Sequence, residues 1–258
     1  MTARDPEGGA ERERFAALLD RAAAQSVRIT LWWRDDDAEV VTPQLARLLA
    51  LAERDDVPLA LAVVPKGATP ELAEAIADRP GVHVLQHGWQ HENHAPPNEK
   101  KMELGEHRPF PLILEELGEG FERLGLLFPR KFLPVLVPPW NRIAPSVRDA
   151  LHKVGLLGLS TFGPTPPGEA HRVNTHVDII DWKNGRAALP RAAAFAILCG
   201  EVERRLRDDP EPLGILTHHL VHDDASWSFL EELFTLTARH VAVRWPAIPP
   251  LFDLSPPG

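Results

Sequence analysis

Apolar positions along this 258-residue chain follow two alternating rhythms. Apolar residues three and four positions apart put Phe15, Leu18, Leu19 and Ala22 on one face of a helix over residues 11–24. The same spacing predicts helices over 43–54, 69–77, 111–127, 145–154, 191–207 and 226–239. Thr42 is placed to cap the second of these, with Pro43 in its first turn. Between the helices lie short apolar runs of β type, at 28–33, 59–64, 82–86, 132–137, 156–160, 177–180 and 213–217. Strand followed by helix, about seven times over, predicts parallel strands joined by helical crossovers. The strands are almost wholly apolar, as expected when helices cover one face and packed side chains fill the other. A distorted (β/α) barrel of about seven strands fits this pattern best, and an open doubly wound sheet is the alternative. One domain over 1–258 is expected, with a flexible stretch at 1–14.

Composition narrows the picture. With 44% hydrophobic residues the chain can build one sizeable core. Its net charge of -9, without a Lys/Arg run, argues against a nucleic-acid partner or an anionic membrane surface. No segment approaches the ~20 apolar residues of a membrane span. The charged N-terminus lacks the ~7–15-residue apolar stretch of a secretory signal, so a cytoplasmic location is expected. The single cysteine, Cys199, excludes a disulfide framework and reads as a small buried hydrophobe. Oligomeric state leaves no mark in the sequence.

In such a fold, chemistry belongs on the loops at the C-terminal ends of strands. The unusual residues collect there: Arg34-Asp35-Asp36-Asp37, His87 to His94, Pro138-Pro139-Trp140-Asn141-Arg142, Asp181-Trp182, and His218-His219 with His222. Seven of the twelve histidines fall within 83–94 and 218–222, a clustering that scattered surface histidines would not show. His87 and His91 are four residues apart. In an extended strand their Cα atoms would be ~13 Å apart, whereas a turn brings them to roughly 6 Å on one side. Gly88 permits that turn. Three adjacent aspartates repel one another unless a cation compensates. A division of labour explains them: one carboxylate binds a metal and its neighbour acts as base. Asp and His suit a borderline divalent cation, and three protein ligands leave a position open for water. His218, His219 and His222 offer candidates for an acid that protonates a leaving amine, with Asp181 to orient one. Trp140 and Trp182 could wall a pocket whose aromatic faces stack on a sugar ring.

Together these motifs resemble the polysaccharide deacetylase family, the carbohydrate esterase 4 type, with its nodulation-type chitooligosaccharide deacetylase homology domain. The resemblance runs over 29–223 and rests on five short motifs in the family's order. They are Arg34-Asp35-Asp36-Asp37-Ala38, His87-Gly88-Trp89-Gln90-His91, Val137-Pro138-Pro139-Trp140, Asp178-Ile179-Ile180-Asp181-Trp182 and Leu216-Thr217-His218. It implies a hydrolase that removes acetyl groups from an N-acetylated saccharide. It also implies one divalent metal ion on Asp37, His87 and His91: zinc first, with cobalt, nickel or manganese as alternatives. Asp36 would be the general base and His218 the general acid oriented by Asp181. Pro139, Trp140, Arg142 and Trp182 would bind substrate. The first motif admits two frames, Asp35/Asp36 and Asp36/Asp37, and the second is preferred. The third motif carries Val137 where the family has arginine, and Arg142 or Arg34 is the candidate replacement. Two other readings stand beside this one: a hydrolase of another small amide such as a cyclic ureide, and a non-catalytic carbohydrate-binding relative.

Overall fold

The computed structural model describes residues 6–169, 171–207 and 211–254. Its helices are α1 (Pro6–Ala24), α2 (Pro43–Asp55), α3 (Pro70–Ala77), α4 (Phe110–Leu127), the short α5 (Pro145–Arg148), α6 (Arg191–Arg207) and α7 (Asp224–Thr237). Its strands are β1 (Ile29–Ala38), β2 (Leu59–Val63), β3 (Val82–His87), β4 (Phe132–Val137), β5 (Gly158–Leu159), β6 (Val177–Asp178), β7 (Ile180–Asp181), β8 (Ala187–Ala188), β9 (Leu213–Thr217) and β10 (Val243–Arg244). Seven parallel strands form a curled sheet in the order β5-β4-β3-β2-β1-β9-β6, and β10 pairs with the start of β1. The expected distorted barrel is what forms. Its two edges approach through the segment leading into β6: Val173 and Thr175 bond back to Leu159 and Thr161, while His176 N–H donates to Gly214 O.

Side-chain alternation sorts the core into two layers. Leu31, Trp33, Leu59, Leu61, Val63, Val84, Leu213 and Ile215 face outward, under α1, α2, α6 and α7. Trp32, Ala60, Ala62, Leu85, Val135 and Val137 face inward, where small and large residues fill the narrow interior together. Gly214 is required here, because a Cβ would lie 2.5 Å from Trp32 Nε1. Ile248 and Phe252 join this inner cluster, with the Phe252 ring edge-on to Trp32. They plug the barrel beside Trp32, near the start of β1, which leaves the C-terminal ends of the strands free to form a site.

Several expectations change. α1 starts at Pro6, five residues before the expected helix, and Arg12 and Arg14 pair with Glu232 and Glu203; residues 1–5 lie outside the described residues. The single helix expected over 145–154 breaks into α5 and a 3-10 turn at Leu151–Val154, ended by Gly155 in the left-handed region. β1 runs on through Arg34 and all three aspartates, which were expected on a loop. Cys199 is buried, and burial pushes its thiol up to about 11. Among the described residues no helix is long and apolar enough to cross a membrane.

Candidate active site

The three consecutive aspartates diverge because β1 alternates and then bulges. Against β2, Asp35 pairs with Leu61 but Ala38 with Val63, so one extra residue is accommodated between them. Asp37 sits at φ 71°, in the left-handed region that Asp tolerates better than most residues. Asp35 faces outward like Trp33. It accepts hydrogen bonds from the Thr217 hydroxyl (2.6 Å) and the His219 N–H (3.0 Å), and its Oδ1 lies 2.5 Å from His219 Nδ1. Burial alone would raise its pKa, but the neighbouring His219 outweighs burial and lowers it. Asp36 faces inward like Trp32 and Arg34. Asp37 is turned by the bulge to the same mouth, so Asp36 and Asp37 line the cleft and Asp35 does not.

Asp37, His87 and His91 converge, with one donor atom from each within 4.8 Å of the others. Asp37 Oδ1 lies 3.0 Å from His87 Nε2 and 3.3 Å from His91 Nε2. His87 Nδ1 is 2.9 Å from the Val137 carbonyl, which can only accept, so this nitrogen carries the proton and Nε2 is the ligand atom. Burial would raise the Asp37 pKa, yet the His87 hydrogen bond, with His218 and His91 nearby, holds it well below the ordinary carboxylate range. Burial would lower the His87 pKa, but its hydrogen bond to Asp37 and the charges of Asp36 and Asp37 raise it; a bound cation would displace that proton, and two neutral imidazoles with an ionised carboxylate would form a donor set that fits a divalent cation of zinc type.

The loop from Gly88 to His91 is held from beneath. Gly88 has φ +58°, and a Cβ there would meet Glu103 Oε2 and Pro139. The buried Glu103 carboxylate accepts from the Trp89 N–H (3.3 Å) and the Gln90 N–H (2.8 Å), which fixes the loop that aims His91. Pro139 is buried behind this loop and does not line the cleft, contrary to the sequence expectation.

Asp36 is tied in a bidentate pair: Arg34 Nε to Oδ1 at 2.8 Å and Nη2 to Oδ2 at 3.0 Å. The fully buried Arg34 also donates to Ser160 Oγ (2.7 Å) and Asn141 Oδ1 (2.8 Å). Of the two replacements expected for the missing arginine, it is Arg34 that reaches Asp36. Arg142 instead donates to the Lys101 carbonyl and lines the cleft.

Across the mouth stands His218, buried, its ring 4.6 Å from that of Trp182 and its Nδ1 without a partner among the described residues. Asp181 does not orient it. Asp181 closes the turn of the β7–β8 hairpin, accepting from the Lys183 and Asn184 N–H groups and the Asn184 amide. Asp178 lines the cleft instead, receiving the Trp182 indole N–H at 2.7 Å. Burial, and more weakly the nearby Asp36, raise its pKa against the opposing effect of His218. His219 faces Asp35, and His222 packs on Trp227, so neither joins His218 at the cleft.

The cleft has a volume of about 690 Å³. Trp140, Trp182 and Phe162 stand in its walls. Seven described non-glycine residues have positive φ, and five of them, Asp37, His91, Trp140, Asn141 and Arg186, line this cleft. Backbone strain of order 1–3 kcal/mol per such residue is tolerated where surrounding structure holds it, typically at functional sites.

No protein-family model and no curated protein matches the chain. Solved structures do. A Mycobacterium smegmatis protein assigned as a polysaccharide deacetylase aligns with a TM-score of 0.62 at 18% identity, over 86% of this chain and 87% of its own. A family 4 carbohydrate esterase from Streptomyces lividans, in complex with acetate, gives 0.58 at 15% identity, over 87% and 95%. A family 4 acetyl xylan esterase from Clostridium thermocellum, in complex with a cobalt ion, gives 0.51 at 16% identity, over 80% and 83%. The chain therefore has the fold of the family 4 carbohydrate esterases, the class that holds the polysaccharide deacetylases. On that fold it carries an Asp-His-His group suited to one divalent metal.

Proposed function

We propose that the chain is a metal-dependent hydrolase that removes acetyl groups from an N-acetylated saccharide. The observation that carries this reading is the convergence of Asp37, His87 and His91 beside Asp36, on the floor of an aromatic-walled cleft. A divalent cation held by those three, zinc by preference, would polarise the acyl carbonyl and acidify water. Asp36, its orientation set by Arg34, takes the proton from the attacking water. His218, on the opposite wall, delivers a proton to the departing nitrogen as the carbon–nitrogen bond breaks, releasing acetate and the amine. Asp178 takes the positioning role expected of Asp181, acting through Trp182: it holds the indole N–H, and the indole packs against the His218 ring. Trp140 and Trp182 border the sugar.

The test is elemental analysis of the purified protein together with acetate release from N-acetylated oligosaccharides. Asp37→Ala and His87→Ala are each expected to lose both the bound metal and the activity. Full activity of both variants in metal-free buffer would remove the proposal.

A further inference from the structure

Each tryptophan of the cleft touches a histidine ring and carries a cation. The Trp140 ring lies 4.4 Å from that of His91 and carries Lys101 Nζ at 5.7 Å. The Trp182 ring lies 4.6 Å from that of His218 and carries the Arg186 guanidinium at 5.3 Å. Two cations are thus set on the cleft tryptophans, each within about 10 Å of a site histidine ring. Arg142, also in the lining, is held by the Lys101 carbonyl and adds a third.

Among the described residues none of these three cations has a carboxylate at ion-pair distance. Elsewhere arginines are usually paired, as Arg12, Arg79, Arg108 and Arg191 are. On a chain of net charge -9, three unpaired positive groups around one cleft call for an account. The three carboxylates of the cleft are engaged elsewhere: Asp36 is matched by Arg34, Asp37 belongs to the metal ligands, and Asp178 accepts from the Ile180 backbone N–H and the Trp182 indole N–H. Like charges gathered on one cleft repel, and a neutral sugar would not relieve that repulsion, whereas an anion would. The reach of about 10 Å from Lys101 and Arg186 to the histidine rings is close to the ~8 Å screening length at physiological salt, so their charge is felt by whatever occupies the cleft. Lys101 and Arg186 are exposed and Arg142 half-buried, whereas His87 and His218 are buried, so the cations would meet a substituent on the saccharide and not the acyl group itself.

We propose that the cleft takes an N-acylated saccharide bearing an anionic substituent, a carboxylate or a phosphate, whose charge is received by Lys101, Arg142 and Arg186. The proposal rests on the deacetylase reading above, and its test has two arms so that the two can fail separately. In the first, calorimetry on the zinc-loaded full chain compares glucose, glucuronate and glucose 6-phosphate, none of which can be deacetylated. At least one charged sugar is expected to bind ~10-fold or more tightly than glucose in low salt. The preference is expected to shrink in high salt, and to vanish in the triple variant Lys101→Gln, Arg142→Gln, Arg186→Gln. The tighter of the two charged sugars identifies the anion. In the second arm, acetate release is followed from N-acetylglucosamine, its 6-phosphate and its lactyl ether, with the charged pair expected to show the higher kcat/KM. Charged sugars that bind preferentially but release no acetate overturn the deacetylase reading and leave anion recognition standing. Acetate released with equal kcat/KM from all three, with no binding preference, overturns the anion proposal alone. A preference that survives in the triple variant overturns the assignment to these residues.

Discussion

Replacing Arg34 with methionine isolates the interaction on which the inner face of β1 depends. The variant keeps most of the side-chain volume and removes the charge. Asp36 is 2% exposed and Arg34 fully buried, so the Asp36 carboxylate would be left in the barrel mouth without the two hydrogen bonds at 2.8 and 3.0 Å. Removing one partner of a buried ion pair costs about 3–5 kcal/mol, because the remaining charge is desolvated and uncompensated. The freed Ser160 and Asn141 acceptors add little, since a hydroxyl and an amide can turn to other partners. For a chain of this size, the loss lowers Tm by roughly 6–20 °C. Thermal or urea denaturation in the presence of a chelator measures it, the chelator ensuring that no bound cation substitutes for the guanidinium. Adding Asp36→Asn to Arg34→Met should restore most of the loss, because the double variant no longer buries a charge. Arg34→Lys should fall between, keeping the charge but not the two-pronged geometry. A Tm for Arg34→Met within about 2 °C of the parent, or no recovery in the double variant, would refute the reasoning.

Three further outcomes are expected. Asp178→Asn should lower kcat for acetate release by ~10-fold or more while Asp181→Asn leaves it nearly unchanged, with metal content equal in both; a larger loss at Asp181 would return the orienting role to it. Gly88→Ala should cost about 1–3 kcal/mol and weaken zinc binding, because the added methyl would lie 2.0 Å from Glu103 Oε2 on a backbone at φ +58°; a variant with parental stability and affinity would refute this. Burial depresses the pKa of His222 to about 4 from its ordinary 6.5, so its ring stays neutral in the fold. Above about pH 6.5 it is neutral in both states; from there down to about 4 only the unfolded chain takes the proton, and stability falls by about 1.4 kcal/mol per pH unit, levelling off below. His222→Leu should flatten that part of the stability–pH curve, and an unchanged slope would exclude His222 as its source.

The fold was legible in the chain because its main strands and helices are long enough to show their periods. What escaped was too short to have one: the β7–β8 hairpin, and β10 against β1, each a pair of residues per strand. The charged end of β1 was misplaced for a different reason. Charge argues for a loop only where it lacks partners, and here Arg34 and Asp35 find theirs on Asn141, Ser160, Thr217 and His219, more than a hundred residues away, while Asp36 is matched by Arg34 itself. A period-2 reading of Trp32, Arg34 and Asp36 as one inward face was available and would have extended the strand. The metal-type group was legible as residues, since Asp37, His87 and His91 do converge. Glu103 left no signal, because a carboxylate that accepts backbone N–H groups from a loop thirteen residues earlier has no spacing rule to betray it. Asp178 and Asp181 were equally visible, and only the hairpin that follows β6 decides which one faces the cleft.

The three aspartates show why motif and geometry had to be combined. Side by side they would repel strongly, yet each has its own counter-group on a different side of the strand: His219 outside, Arg34 inside, and the His87/His91 pair at the mouth. Alternation alone would have sent Asp37 outward with Asp35. The bulge between Asp35 and Ala38 breaks that rule and delivers two neighbouring carboxylates to one cleft. Moving the bulge by one residue would exchange the partners of all three. The order of charges along β1 and the position of its irregularity therefore act as a single unit, and inserting one alanine between Asp35 and Asp36, which keeps all three aspartates, should abolish metal binding by elemental analysis as completely as losing Asp37 itself.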